Sequence, residues 1–439
     1  MTGVLALQAE WERTDDGSLE ERACFATLRI GTSAYSLTEG FDSYVNRLRE
    51  GPLVSTYHVA EWLAWNWWRL RWEPRTARDG WAHAHRMSTI GNGYVWPNLT
   101  IQSDGARVVL IPKPSASTAK PFRFIADVPL VVPAIQFEAA VDAFIAQILD
   151  RLQVEKIAET NLSRIWSDVR SERSSPKAAL RRKLEALLGA EPDEADSSVI
   201  DRLEAESEEV GAAAIEELAA NQGAEGKVHT VAELRSIAAS KGRHANLADA
   251  VKLWSAFSLQ GFDSVPGWLR GAEAARKLRE QENLGAAPIS NNRLEAMAGV
   301  MRGLVVASER YADLSFAFDY GDESRVVLRS KSEAGRRFSL ARLLGDRICA
   351  PDGGFLKAAT RSYTYRQKMQ RSFAAEFLCP FGALEDWLKG DYSSDAMDDA
   401  AEYFSVSPRT IETLLVNHGK IDRAGLEAEG ERFETTSAA

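Results

Sequence analysis

Hydrophobic and polar positions follow different rhythms in successive parts of the chain. In the first third, Val4 to Trp11, Ala23 to Ile30, Leu99 to Gln102, Arg107 to Ile111 and Phe122 to Ile125 each predict a short strand. A turn-rich stretch runs from Gly31 to Gly40, Gly91-Asn92-Gly93 predicts a tight turn, and Asp104-Gly105 predicts a hairpin. Thr56 to Trp72 has helical spacing, and Pro133 to Leu152 closes the region as an amphipathic helix.

The middle of the chain is helical and highly charged. Lys177 to Leu188 is basic and amphipathic, Pro192 to Ser198 is an acidic break, and Ile200 to Ala220 predicts a strongly acidic helix. Asn221 to Gly226 is a small polar link. Thr230 is placed to cap Val231 to Ser240, with Glu233 at the capping-box position. Asn246 is placed to cap a further helix, Leu247 to Phe257. Toward the C-terminus, Phe338, Ala341, Leu344 and Ile348 recur at steps of three and four and predict one apolar helix face. Arg342 and Asp346, four apart on that helix, project from the same side.

These patterns predict an α+β multidomain protein. Its parts are an N-terminal α+β module rich in tryptophan (1–152), a charged helical linker or bundle (153–260), a mainly helical C-terminal domain with a small β-hairpin (261–425) and a flexible tail (426–439). A length of 439 residues exceeds one ordinary core. A hydrophobic share of 45% and a charged share of 26% fit a soluble globular protein. No basic n-region leads into an apolar run near Met1, so a signal peptide is not expected. No window approaches the ~20 apolar residues of a membrane span. Cys24, Cys349 and Cys379 are too few and too far apart for a disulfide framework or a zinc knuckle, which implies reduced thiols and a cytoplasmic protein. A net charge of −10 disfavours broad nucleic-acid binding but leaves room for a local basic face.

Trp62, Trp65, Trp67, Trp68 and Trp72 crowd one short span, and Trp81 follows. Such a cluster fills a core between helix and sheet, or it stacks bases or grips a peptide. Trp65, Trp68, Arg69, Arg71 and Arg75 are the binding candidates, because guanidinium groups stack on indoles and hold phosphates. His83 and His85 form H-x-H, with His58 upstream. No Cys or carboxylate completes a ligand set nearby, so neither a metal nor any other cofactor is expected. The neighbouring acidic and basic middle helices form solvated faces of a bundle, or else a partner-binding or dimerisation arm.

The C-terminal part carries a resemblance. Pro266-Gly267-Trp268-Leu269-Arg270-Gly271-Ala272-Glu273-Ala274-Ala275-Arg276-Lys277-Leu278-Arg279 resembles the opening helix of the ImmA/IrrE family of metallo-endopeptidases, which shows Trp and Gly ahead of A-x-x-L-R. A helix from Asn291 to Met301, a strand from Leu304 to Ser308 and a hairpin of Leu314 to Tyr320 with Arg325 to Ser330 are expected next. Arg337-Phe338-Ser339-Leu340-Ala341-Arg342-Leu343-Leu344-Gly345-Asp346 then stands where the family has R-F-T-L-A-H-E-L-G-H. Met369 to Pro380 is similar to E-A-N-x-F-A-A-E-L-L-M-P. Ala400 to Ser407 and Thr410 to His418 are similar to the closing A-x-x-F-x-V-S and L-x-N-x-G.

The resemblance implies a zincin-like fold without its chemistry. The two zinc histidines fall on Arg342 and Asp346, the general base on Leu343 and the third ligand on Met369. Three protein ligands and a proton acceptor are what such a site needs. An ion pair between Arg342 and Asp346 is the expected replacement. The closing helices, Asp395 to Phe404 and Pro408 to His418, also have helix-turn-helix spacing, with Arg409 as the candidate DNA contact beside an acidic first helix.

The expected function is therefore that of a non-catalytic regulatory or assembly protein. It is a pseudoenzyme acting through protein–protein binding in a mobile-element, stress or phage-defence setting, as the family's active members imply. A DNA-binding regulator is the alternative. Another protein is the expected partner, with nucleic acid and self-association open and no membrane.

Overall fold

The structure, a computed structural model, describes residues 3–78, 80–117, 119–157, 159–225, 228–253, 265–307, 312–351 and 354–422. It is α+β in character, with several small antiparallel sheets among many helices. The chain divides into two compact units: Met1–Val228 with Arg361–Tyr365, and His229–Thr360 with Arg366–Ala439. The expected boundaries at 152 and 260 differ from this division, since the charged middle is shared between the units. The flexible tail expected over 426–439 lies outside the described residues, and no helix of the described residues is long and apolar enough to cross a membrane.

In the first unit, β1 (Ala6–Trp11) leads through the short α1 (Leu19–Ala23) to β2 (Phe25–Gly31). Ser18 and Glu21 form a reciprocal capping box at the start of α1. Then follow β3 (Gly40–Asp42), β4 (Arg47–Arg49) and β5 (Leu53–Ser55). The helix expected over Thr56 to Trp72 is two, α2 (Thr56–Trp65) and α3 (Trp67–Trp72), broken at Asn66. There the Asn66 side-chain amide donates to the Trp62 carbonyl at 2.8 Å, a local bond that competes with helix continuation. Next come α4 (Trp81–His85), β6 (Leu99–Ser103), β7 (Arg107–Pro112), β8 (Phe122–Phe124), β9 (Leu130–Pro133) and the long α5 (Ala134–Val154).

Three antiparallel sheets result, in the orders β1-β2-β5, β4-β3-β8 and β6-β7-β9. The unit is completed by α6 (Asn161–Ser174), α7 (Pro176–Leu188), α8 (Ser197–Val210) and α9 (Ala212–Glu225). The single acidic helix expected over Ile200 to Ala220 is thus a pair, divided at Gly211, whose φ of +99° suits glycine alone. The polar link expected at Asn221 is still helix. The core gathers the inner faces of β1, β2, β5, β6, β7, β9, α2, α3, α5, α6 and α7 around Trp67, which stacks on Phe137 at 6.4 Å and meets Trp166 edge-on at 5.6 Å.

The second unit opens with α10 (Val231–Lys241), whose Thr230 cap accepts from the Glu233 N–H. The helix expected from Leu247 does not form over 247–253, and its remainder lies outside the described residues. Instead β10 (Arg243–Asn246) pairs with the hairpin, the Leu247 N–H donates to the Asp322 carbonyl and the Val251 N–H to the Met297 carbonyl. Helices α11 (Gly267–Gln281) and α12 (Asn291–Met297) follow. A turn occupies the start of the strand expected at Leu304. Buried Glu295 takes the Gly303 and Val305 N–H groups (3.0 and 2.8 Å) that a ladder would need. Ser308 lies outside the described residues.

Strands β11 (Ser315–Tyr320) and β12 (Glu323–Val327) make the expected hairpin, ahead of α13 (Glu333–Cys349), β13 (Leu356–Ala359) and α14 (Tyr365–Leu378). The sheet order is β10-β12-β11-β13, antiparallel throughout. Three shorter helices close the unit: α15 (Phe381–Leu388), α16 (Ser394–Phe404) and α17 (Pro408–Asn417). Close helix approach relies on two glycines. A Cβ at Gly271 of α11 would meet the Met369 carbonyl oxygen at 2.2 Å, and one at Gly345 of α13 would meet the Phe373 ring at 2.5 Å.

Candidate functional site

The tryptophan-rich segment divides by burial. Trp67, Trp68 and Trp81 are core residues, Trp62 and Trp72 are half-buried, and Trp65 alone of the six is exposed, at 56%. Trp68 spends its Nε1–H on Glu172 at 2.8 Å. The arginines beside them are already engaged. Buried Arg69 pairs with Glu73 at 2.7 Å and Glu191 at 2.6 Å. Arg71 binds Glu138 at 2.5 Å and the Gly105 carbonyl at 2.7 Å, and lies 3.8 Å over the Trp72 ring. Arg75 is exposed. Of the stretch proposed to hold phosphate, only Arg75 presents its side chain to solvent.

The two histidines of H-x-H do not act together. His83 is exposed, while His85 is fully buried, stacked on Trp81 at 4.2 Å and hydrogen-bonded to the Ile101 carbonyl (2.8 Å) and Glu73 (3.0 Å). His58 stands elsewhere, on α2. It bridges Glu21 (2.8 Å, Nε2) and the Asn92 amide (3.1 Å, Nδ1). The His58 contact holds the Glu21 carboxyl below its ordinary range, with the Ser18 N–H helping.

His58, Glu61, Trp62 and Trp65 recur at steps of three and four, so α2 turns all four to one face. That face forms the wall of an open cleft of about 270 Å³, closed by Asn92 of the Gly91–Gly93 turn and Asn161 at the start of α6. Glu61 Oε1 accepts from the Asn161 amide at 2.8 Å and the Tyr57 hydroxyl at 3.4 Å. All three turn residues have left-handed φ, +83° at Gly91, +58° at Asn92 and +78° at Gly93. The non-glycine Asn92 is held in this sparsely populated conformation by its bond to His58. Among the named candidates only Trp65 belongs to this cleft. The i, i+3, i+4 spacing of its helix neighbours was the available signal for Glu61 and His58, whereas Asn161 lies 100 residues from Glu61.

In the second unit, α13 carries Arg342, Leu343 and Asp346, which the resemblance aligns with the residues of a zinc site. Arg342 is 9% exposed, and its Nη2 donates to the Thr360 carbonyl at 2.7 Å and to Gln367 Oε1. Asp346 is fully buried and accepts a bidentate pair of bonds from Arg366, at 2.7 and 2.6 Å. The expected Arg342–Asp346 ion pair is thereby replaced. Arg366, on the facing α14, presents two parallel N–H groups of its planar guanidinium to both carboxylate oxygens. Leu343 and Met369 are core residues.

Lys357 of β13 lies buried nearby, its ammonium 3.3 Å from the Ala350 carbonyl. Burial pushes its pKa down, against the pull of Asp346 and Asp319. Burial likewise pushes the Cys24 and Cys349 thiols up to about 12, which leaves them protonated and unreactive. Among the described residues no group of three His, Cys, Asp or Glu side chains is placed to hold a metal ion.

The closing helices α16 and α17 are joined by the short turn Ser405-Val406-Ser407. Ser405 ends α16 in the left-handed region (φ +53°), and Arg409 is exposed on the first turn of α17. Compared with known proteins, the chain matches no family model, no curated protein and no solved structure.

Proposed function

We propose that the chain is a non-catalytic regulatory or assembly protein. It acts by binding another protein, and its second unit is a degenerate, zincin-like domain of the ImmA/IrrE kind. The observation that carries this reading is the state of α13. The two positions that the resemblance aligns with zinc histidines hold Arg342 and Asp346, and both side chains bond to α14 and the Thr360 backbone. A metal there would have to displace a buried bidentate ion pair and sit against a guanidinium. Leu343 offers no proton acceptor. The setting in mobile-element control, stress or defence comes from the resemblance alone.

A nucleic-acid regulator is the second reading, favoured by exposed Arg409 on a helix–turn–helix pair. It is weakened by Asp395, Asp398, Asp399 and Glu402 on α16 and by the prior engagement of Arg69 and Arg71. Affinity purification of the tagged chain from its native host, with identification of co-purified protein and nucleic acid, separates the two. A specific protein partner is the expected outcome. Sequence-selective DNA whose binding weakens with salt and with Arg409→Glu would favour the second reading.

A further inference from the structure

We propose that the α2 cleft is a receptor for a cationic side chain, the ammonium of lysine or the guanidinium of arginine, carried on a partner peptide. The inference rests on the binding reading only in making the ligand part of a protein. The cleft itself is argued from its own atoms.

An exposed indole and an unspent carboxylate meet on one helix face. Trp65 leaves more than half of its surface in solvent, and Trp62 spends its Nε1–H on the His83 carbonyl at 3.2 Å, keeping its ring free to pack. Four residues before Trp65, Glu61 uses Oε1 for Asn161 and Tyr57. Among the described residues its Oε2 has no partner. A cation placed between indole face and carboxylate gains from both the ring quadrupole and the ion pair.

The rest of the lining favours a cation over a sugar or an anion. No lysine or arginine lines the cleft. Arg164, outside the lining, donates to the Asn161 side-chain oxygen at 3.4 Å. Each lining amide already spends one N–H inside the protein, Asn161 on Glu61, Asn66 on Trp62 and Asn92 on His58, and an amide N–H carries no charge to set against a carboxylate. Among the described residues of the lining, the one open group with full charge is the Glu61 carboxylate, beside the exposed Trp65 ring. The left-handed Gly91–Gly93 turn, pinned by Asn92 to His58 and by the Trp96 indole N–H to the Gly91 carbonyl at 2.5 Å, holds the opposite wall in place before any ligand arrives. A space of about 270 Å³ suits one side chain better than a folded surface.

The test is a tryptophan-fluorescence titration of the full chain with Nα-acetyl-lysine methyl ester, alongside the uncharged Nα-acetyl-norleucine methyl ester, spermidine and glucose. The lysine ester is expected to saturate at millimolar concentration and the norleucine ester to bind about tenfold more weakly. Glu61→Gln, which keeps the Asn161 bond, and Trp65→Ala are each expected to lower affinity about tenfold, with the thermal unfolding curve unchanged. Equal binding of the lysine and norleucine esters, preferential binding of glucose, absence of saturation, or indifference to both variants would each overturn the proposal. Spermidine binding without lysine-ester binding would assign the cleft to free polyamines and overturn the peptide assignment. The reading of the chain as a non-catalytic binding protein is tested separately, by metal content and partner capture, and survives loss of the cleft.

Discussion

The α13–α14 face of the second unit and the α2 cleft of the first are built from similar residue types and end in opposite states. At α13, Arg342 and Asp346 are buried, and each is bonded by a neighbour made for it: Gln367 and the Thr360 carbonyl for one, Arg366 for the other. At α2, Glu61 keeps an oxygen unspent and Trp65 stands in solvent. A buried network whose charged groups are paired is expensive to disturb, whereas a solvent-facing one costs little to alter and keeps an acceptor to give. The difference teaches that the feature most suggestive in sequence, the i,i+4 polar pair on an amphipathic helix, marks structure here. The half-hidden tryptophan helix carries the exposed indole and the carboxylate on which the proposed cation site rests.

The largest effect should follow from opening the closed network. Arg366→Ala strands Asp346 as a buried unpaired carboxylate and is expected to cost about 3–5 kcal/mol in denaturant unfolding. A loss as small as that of a surface substitution would show that the pair is not the anchor of α13 on α14. Within the tryptophan cluster the contrast should be as sharp: Trp68→Ala removes a core indole and its Glu172 bond and is expected to cost about 3–5 kcal/mol. Trp65→Ala should change stability by no more than about 0.5 kcal/mol. Equal losses would erase the distinction between core and cleft.

Gly345→Ala is expected to be of intermediate size. Its Cβ would press on the Phe373 ring, so about 1–3 kcal/mol should be lost unless α13 and α14 move apart. A further effect has the opposite sign. Lys357 is buried with its pKa below the ordinary 10.5, so below its folded pKa the native state carries the full penalty of a desolvated ammonium. Between the folded and unfolded pKa values the unfolded chain holds the extra proton, and stability rises with pH. Lys357→Met should raise the unfolding temperature by a few degrees at neutral pH and flatten that alkaline rise.

Much of the first unit was legible because its strands carry β-branched or aromatic residues between turn signals, and in the second unit Thr230 caps its helix where expected. What escaped was set by partners rather than by local pattern. Arg243–Asn246 and Leu356–Ala359 contain no β-branched residue, yet β12 and β11 offer them a ladder. Asn66 and Gly211 break two long helices because a side-chain bond and a positive φ override helical spacing. At the candidate sites, spacing rules reach one helical turn. They place Glu61 beside Trp65, but they cannot bring Arg366 to Asp346 across twenty residues or Asn161 to Glu61 across a hundred. The expected pairing of Arg342 with Asp346 failed for that reason.

The most direct test of a non-catalytic second unit is the zinc content of the full chain, purified without chelator or affinity metal and measured by elemental mass spectrometry. Zinc far below one equivalent per chain is expected, with no rise on incubation with equimolar zinc and desalting. One tightly held zinc per chain, lost on Asp346→Ala, would contradict it.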